Sequence, residues 1–350
     1  MLKTLILLFS TLTVSACSSF GYYLDLMAGH SELLEQRKAV KTLLAEKETP
    51  ENLRKLLEMS QNMRDFASKE LHLPENDSYR TYADLKRPYA VWNVIAAAEF
   101  SVSAKKWCFV FVGCLSYRGY FSKEDALAYA DELKAQNYDV YVAGANAYST
   151  LGWFDDPLLN TMMYKSEARR AGIIFHELAH QVVYIENDSA FNEAFATAVE
   201  QEGIRRWMLR KNQQQQYEDY LLDKKRNSQI NHLLQMTRDK LKARYKDNIS
   251  AEQKREAKRQ IFAFMQKEYQ ELKKTWGGDA AFDKWMQQDL NNAHLLLIAT
   301  YHDLVPVFQA ILKNENHDLK KFYLAVEQYG KLDKKARSRQ LEQLYKLAQR

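Results

Sequence analysis

Residues 173–180 read Ile-Ile-Phe-His-Glu-Leu-Ala-His, and this stretch decides which fold the rest of the chain has to support. His176 and His180 are four residues apart, just over one helical turn, so a helix places both imidazoles on one face. Two neutral ring nitrogens at that spacing can share one metal ion. Glu177 is offset by one residue, which suits a proton acceptor better than a third ligand. The stretch therefore predicts a buried metal-binding helix.

Two helices are expected around this motif. Ser166 is a suitable N-cap for the first helix, which should run to about Tyr184. The second helix should begin near Ser189 and continue past Glu200. Taken alone, the motif also allows another interpretation, in which the two histidines are only packed or hydrogen-bonded in the core.

A third ligand separates the two interpretations, because a catalytic zinc site uses three protein ligands and one open position. Glu193 lies 13 residues after His180, enough for a turn and a return helix. Its surroundings, Asn192 to Ala196 (N-E-A-F-A), resemble the N-E-x-F-A segment of gluzincin metallopeptidases. That resemblance implies Zn²⁺ on His176, His180 and Glu193, with Glu177 as the general base.

Other acidic residues compete for the third position. Glu186 and Asp188 fall in the turn between the helices, whereas Glu200 lies two helical turns beyond Glu193. Glu200 is better placed to hold a histidine ring than to bind the metal. A metzincin site is excluded, because no further histidine follows at the spacing of that class.

The composition agrees with a mostly helical globular chain. It has 350 residues, of which 46% are apolar and 27% charged, with 5 Pro and 11 Gly. These values exclude a disordered chain, a collagen and a polytopic membrane protein. A net charge of +5 is too small to indicate nucleic-acid binding. We expect an α+β fold that is predominantly helical, with a small mixed sheet.

The N-terminus predicts export. Residues 1–16 carry Lys3 before a short apolar run, as in a secretory signal peptide. Val14 to Cys17 also resembles the lipobox of bacterial lipoproteins, which implies an acylated Cys17 anchored in a lipid bilayer. Ser18 then implies the periplasmic face of the outer membrane. The alternative is a plain signal peptide with an incidental cysteine.

The other two cysteines, Cys108 and Cys114, form an even pair in an exported chain. An oxidising compartment favours a disulfide between them. Two reduced thiols in the core are the alternative.

The hydrophobic pattern divides residues 17–350 into parts of one domain. The parts are helical residues 17–87, a sheet with the zinc-site helices at 88–203, a basic helical extension at 204–278 and C-terminal helices at 279–350. The elements expected within them are helices over 31–70 separated at Pro50, strands over 90–103 and 107–112 paired through the Lys105-Lys106 turn, a helix over 123–136 and a strand over 138–143.

The helical extension carries the positive charge. Residues 205–274 contain 19 basic and 9 acidic residues, a net charge of +10. A solvated helical hairpin is the simpler interpretation. The more specific interpretation is that this stretch contacts an anionic envelope surface. Gly277-Gly278 should end the extension.

Several segments together resemble a bacterial family of predicted aminopeptidase lipoproteins. They are Cys108 with Cys114, residues 117–121 (YRGYF), 147–154 (AYSTLGWF), 176–180, 192–196, 291–293 (NNA) and 301–306 (YHDLVP). The resemblance covers most of the mature chain, and it implies a zincin-like fold, aminopeptidase activity and a peptide or protein substrate.

Two further parts of such a site are less clear in the sequence. A second oxyanion donor is expected, with Tyr301 as the first candidate. Its competitors are Tyr148, Tyr184 and His302. Zinc aminopeptidases that carry a G-x-M-E-N segment use its Glu to hold the substrate amine. Here residues 144–147 (GANA) contain no acid, and Glu99 or Asp155 could supply the anchor instead, although no motif in the sequence assigns either of them. The residues themselves thus indicate a metallopeptidase, and only the resemblance indicates an aminopeptidase.

Two other functions use the same location. One is a non-catalytic envelope lipoprotein that binds cell-wall or protein partners, for which the intact Glu177 has no purpose. The other is a hydrolase of peptidoglycan stem peptides, which would use the same site.

Overall fold

The computed structural model describes residues 21–109, 113–147, 149–150, 154–296 and 304–348. Over these ranges the chain is mostly helical, and its short strands form two three-stranded sheets and one hairpin. The expected α+β class is therefore confirmed. None of the helices in these ranges is both long and apolar enough to cross a membrane.

The elements are numbered here in chain order. The helices are α1 (residues 21–35), α2 (Val40–Ala45), α3 (Glu51–Leu71), α4 (Lys123–Ala135), α5 (Asn160–Met163), α6 (Glu167–His180), α7 (Ser189–Arg210), α8 (Gln214–Lys246), α9 (Ala251–Thr275), α10 (Asp283–Met286), α11 (Val305–Asn314), α12 (Leu319–Gly330) and α13 (Lys334–Ala348), with a 3-10 turn at Asn292–Leu296. The strands are β1 (Lys38–Ala39), β2 (Thr81–Ala83), β3 (Val91–Ala98), β4 (Trp107–Phe109), β5 (Gly113–Leu115), β6 (Arg118–Tyr120), β7 (Tyr138–Ala145) and β8 (Leu158–Leu159).

Helix α6 begins where the sequence indicates. The Ser166 hydroxyl accepts a hydrogen bond from the backbone N–H of Arg169, as an N-cap should. The helix ends at His180, about four residues before the expected end. The N–H groups of Gln181 and Val182 bond three residues back, which tightens the last turn. The β-branched pair Val182-Val183 then leaves the helix, since such side chains lose rotamer freedom there.

Helices α6 and α7 pack closely in the main hydrophobic core. A Cβ on Gly172 of α6 would lie 2.9 Å from Ile204 and 3.1 Å from the Glu200 carboxylate. A Cβ on Gly203 of α7 would lie 2.6 Å from the Phe175 ring. Both glycines therefore allow a helix approach that alanine would obstruct. This approach brings the acidic face of α7 onto the histidines of α6.

The larger sheet contains the two longest strands, β3 and β7, of eight residues each. Its strand order is β6-β3-β7, antiparallel throughout, with Val91 opposite Ala145 and Ala98 opposite Tyr138. Helix α4 covers it, burying Ala126, Ala130 and Leu133 against the sheet.

The expected pairing through the Lys105-Lys106 turn is wrong. Strand β3 ends at Ala98, and its one isolated bridge among the described residues, from Ala97 to Ala104, lies before that turn. The chain over 107–109 pairs with 113–115 instead. The disulfide between Cys108 and Cys114 joins two residues that face each other in this hairpin, so the crosslink stabilises the local pairing.

The N-terminal helices are also more divided than expected. Pro50 precedes α3 as its N-cap residue, as the sequence indicates. The stretch before Pro50 is interrupted, however, because Lys38 and Ala39 form β1 between α1 and α2. Pairing of this short strand with β2 outweighs its helical pattern.

Helices α8 and α9 form the expected hairpin. Their facing apolar residues, which include Leu234, Leu241 and Met265, make a second core cluster. The hairpin contacts the sheet through charged pairs: Lys258 binds Asp139 of β7, and Arg255 binds Glu99. Gly277 and Gly278, both with positive φ, end α9.

Candidate metal centre

Helices α6 and α7 bring His176, His180 and Glu193 together. One ligand atom from each of the three lies within 4.8 Å of the others. Nε2 of His176 is 3.2 Å from Oε2 of Glu193, and Nε2 of His180 is 3.8 Å from Oε1. The two rings are nearly perpendicular, with centroids 4.9 Å apart. Two imidazoles thus direct the same kind of nitrogen toward one carboxylate.

This donor set fits a zinc ion. Two neutral imidazoles and one carboxylate are the ligand set of many catalytic zinc sites. His180 is only 5% exposed, and its Nδ1 has no hydrogen-bond partner among the described residues. Nε2 of the same ring faces Oε1 of Glu193 at 3.8 Å, which is longer than a hydrogen bond, so an ion between these two atoms would give the buried ring a partner. The geometry therefore supports metal binding better than core packing of the two histidines.

Glu200 lies behind His176, where the sequence analysis expected a residue that holds the ring. Its Oε2 is 3.2 Å from Nδ1 of His176, so an Nδ1–H can donate to it while Nε2 faces Glu193 as a ligand would. The competing ligands are placed elsewhere. Glu186 is exposed, and Asp188 is bound by Arg337 at 2.7 Å.

The turn between the helices fixes the position of Glu193. The side-chain amide of Asn192 accepts from the N–H of Ile185 and donates to its carbonyl, both at 2.8 Å. These two bonds close the turn one residue before Glu193. Phe195, on the buried side of the same helical turn, stacks on Phe322. Asn192, Glu193 and Phe195 of the N-E-x-F-A segment thus each have a structural reason.

The charges of these groups are strongly coupled. Burial alone would lower the pKa of His176, but its hydrogen bonds to Glu193 and Glu200 raise it well above its ordinary value. Burial and the neighbouring His176 lower the pKa of His180 to about 4. Burial opposes ionisation of Glu193, yet the hydrogen bond from His176 gives it a lowered pKa. The site therefore combines an anionic carboxylate with one imidazole that stays neutral at physiological pH.

Glu177 points into the same space from α6. Burial raises the pKa of this carboxyl, the charge of His176 opposes the rise, and the charge of Glu193 adds to it. A hydrogen bond with Ser149 also favours the ionised form. A carboxylate with a raised pKa is a better proton acceptor near neutral pH. Glu177 thus has the environment of a general base.

The charges of the site act on Tyr117, which the sequence analysis named only as part of the YRGYF segment. Burial raises the pKa of its phenol, and the charges of Glu193 and Glu177 raise it further. It lies two residues after β5, directly beyond the disulfide-linked hairpin. Its place in the YRGYF segment was the only available signal. No periodicity or spacing connects it with the HExxH motif, which lies about 60 residues away in sequence.

Of the oxyanion donors that the sequence analysis considered, the structure describes only Tyr184. Tyr184 is 49% exposed, with its ring centroid 6.4 Å from that of His180. Tyr301, Tyr148 and His302 lie outside the described residues. Of the two amine anchors considered, Glu99 binds Arg255 through both carboxylate oxygens, at 2.6 and 3.1 Å. Asp155 is exposed. Neither lines the pocket beside His176 and Glu177.

These features define a mostly helical α+β protein whose His-His-Glu group, on two adjacent helices, could hold a metal ion. A family model described as "Putative aminopeptidase" matches residues 21–341, and the chain belongs to this family. Searches of the curated proteins and of the solved structures give no match.

Proposed function

We propose that the chain is a zinc-dependent peptidase of the zincin type. The observation that carries this proposal is the convergence of His176, His180 and Glu193, with Glu177 beside them and Glu200 behind. A core pair of histidines would need neither the adjacent partly buried acid nor the acid that orients one ring. The family's description supports peptidase activity independently of the geometry.

Each residue has one role in this proposal. His176, His180 and Glu193 hold the ion, and Glu200 orients His176. When bound, zinc supplies Lewis-acid polarisation of the scissile carbonyl and an increased acidity of water. Glu177 accepts the proton from the attacking water and returns it to the leaving amine. The leaving amine would otherwise depart as an unstable anion, so this second transfer completes the hydrolysis.

A phenol is the best candidate for the second oxyanion donor. Tyr117 remains protonated at neutral pH, because its raised pKa disfavours the phenolate. It can therefore donate a hydrogen bond to the negative oxygen that develops on the substrate. We prefer it to Tyr184, which is 49% exposed, because Tyr117 is less exposed and water screens its interaction with that charge less.

The proposed setting is the bacterial envelope. Residues 1–17 support a lipid-anchored protein at the periplasmic face of the outer membrane, and the disulfide agrees with an oxidising compartment. Aminopeptidase activity rests on the family's description. The net charge of +10 over residues 205–274 supports contact with an anionic envelope surface.

Peptide hydrolysis tests the proposal. Residues 18–350, exported to the periplasm and loaded with zinc, are incubated with a mixed peptide library, and the products are mapped by mass spectrometry. We expect hydrolysis by the wild type and none by Glu177→Gln at equal zinc content. Release of single N-terminal residues identifies an aminopeptidase, and internal cleavage an endopeptidase. Equal hydrolysis by both proteins would refute the assigned role of Glu177.

A further inference from the structure

A groove runs from the candidate metal centre along α6. It encloses about 490 Å³. Its lining residues are Asn146, Lys165, Arg169, Ile173, His176, Glu177 and Glu200. We call this space the α6 groove.

Most of the lining of the groove comes from one face of α6, so the order of these residues along the groove follows their order in the helix. Arg169, Ile173 and His176 follow the spacing of neighbours on a helix surface. A rise of about 1.5 Å per residue places Arg169 about 10 Å from His176 along the axis. Lys165, just before the helix, lies about one turn further. An extended peptide advances about 3.4 Å per residue, so Arg169 is about three peptide residues from the metal centre.

The two ends of the groove differ in charge. Glu177 and Glu200 lie at the metal end, whereas Lys165 and Arg169 lie at the far end, with Ile173 between them. Among the residues that the structure describes, Lys165 has no ion-pair partner. Arg169 has one, Asp223 of α8, at 3.3 Å, and both side chains are about half exposed. An exposed pair of this kind is weak and exchanges readily for another partner.

We propose that the α6 groove selects peptides that carry a carboxylate about three residues from the scissile bond. This inference rests on the proposed peptidase function and adds a substrate class to it. Arg169 binds the carboxylate, and Lys165 strengthens the attraction. The carboxylate replaces Asp223 as the partner of Arg169. Ile173 contacts the intervening apolar part of the substrate, and a basic side chain at the same position is repelled.

A binding experiment tests the inference without relying on turnover. Zinc-loaded Glu177→Gln protein is titrated with two octapeptides that differ only in one Glu or Gln, and calorimetry gives each Kd. We expect the Glu peptide to bind roughly threefold to tenfold more tightly, because the charge-assisted contact is partly exposed. The difference should decrease in 0.5 M NaCl.

Three further variants in the same background locate the effect. Arg169→Gln and Lys165→Gln should each reduce the Glu/Gln preference, and together they should abolish it. Asp223→Asn should increase the preference, since it removes the competing carboxylate from Arg169. Lys242→Gln is the matched control, because it removes an exposed lysine of α8 outside the groove and should not change the ratio.

Kinetics of the wild-type enzyme then give the position of the preferred carboxylate relative to the scissile bond. In a series of peptides with one Glu moved along the chain, the maximum of kcat/KM should fall about three residues from the cleaved bond, on one side only. An equal or reversed preference in the binding experiment, with normal hydrolysis, would overturn the groove assignment alone. A clear preference in binding, with no peptide hydrolysed by the wild type, would refute the peptidase proposal and support the groove as an acidic-peptide site.

Discussion

Replacing Glu200 tests whether the acid behind His176 belongs to the metal centre. Its carboxylate is 3.2 Å from Nδ1 of His176, and its side chain is 27% exposed. Loss of such an outer partner typically reduces metal affinity about 10- to 100-fold. Glu200→Gln keeps a neutral acceptor beside Nδ1, so we expect the lower end, about tenfold or about 1.4 kcal/mol. Glu200→Ala removes the acceptor, so we expect about 100-fold or about 2.7 kcal/mol.

The assay is competition for zinc between each protein and a chelator of known affinity. Glu202→Gln is the matched control, because this acid lies on the same helix but faces Arg205, Arg206 and His317 instead of the histidines of the metal centre. The Glu202→Gln protein should bind zinc as the wild type does, even if its free energy of unfolding falls. If Glu200→Ala binds zinc as tightly as the wild type, the assigned role of Glu200 is refuted. An equal loss in Glu202→Gln would show only a general disturbance of α7.

Three other predictions concern the donor, the hairpin and a second buried histidine. Tyr117→Phe should lower kcat/KM about 10- to 100-fold without changing zinc affinity, and unchanged kcat would remove it as the oxyanion donor. Cys108→Ser with Cys114→Ser should lower the free energy of unfolding by about 2 kcal/mol in urea titrations, because the short crosslinked loop no longer restricts the unfolded chain. Burial lowers the pKa of His294 to about 4. As the pH falls, this histidine is therefore protonated in the unfolded chain before it is protonated in the folded protein. The free energy of unfolding should then decrease between about pH 6.5 and about pH 4. His294→Gln should remove up to about 3 kcal/mol of that loss in urea titrations at each pH, and an unchanged pH dependence would contradict the low pKa.

Local spacing made much of the candidate site predictable. The four-residue interval between His176 and His180 places both side chains on one face of a helix. The interval to Glu193 requires a turn and a returning helix, which α6 and α7 provide. The hairpin of α8 and α9 was equally accessible, because its apolar stripe follows a helical period.

Contacts between distant segments could not be derived in this way. Tyr117 follows the disulfide-linked hairpin, and the charges of Glu193 and Glu177 act on it, but no local pattern in the sequence predicts that proximity. The strand pairing around the Lys105-Lys106 turn was wrong for a similar reason. The segment that follows β3 closely in sequence was the expected partner, but β3 pairs with β6 and β7 instead. Lys165 and Arg169 belong to no recognisable motif, and only the structure places them in the α6 groove.

The most direct test of the account is anomalous diffraction at the zinc edge from crystals of the wild-type protein. We predict one strong peak, about 2.0–2.2 Å from Nε2 of His176, Nε2 of His180 and a carboxylate oxygen of Glu193. Glu177 should lie outside that ligand set, within reach of water at the open position. A protein purified with zinc in its medium that shows no peak there, or a peak bound by other residues, would contradict the central claim.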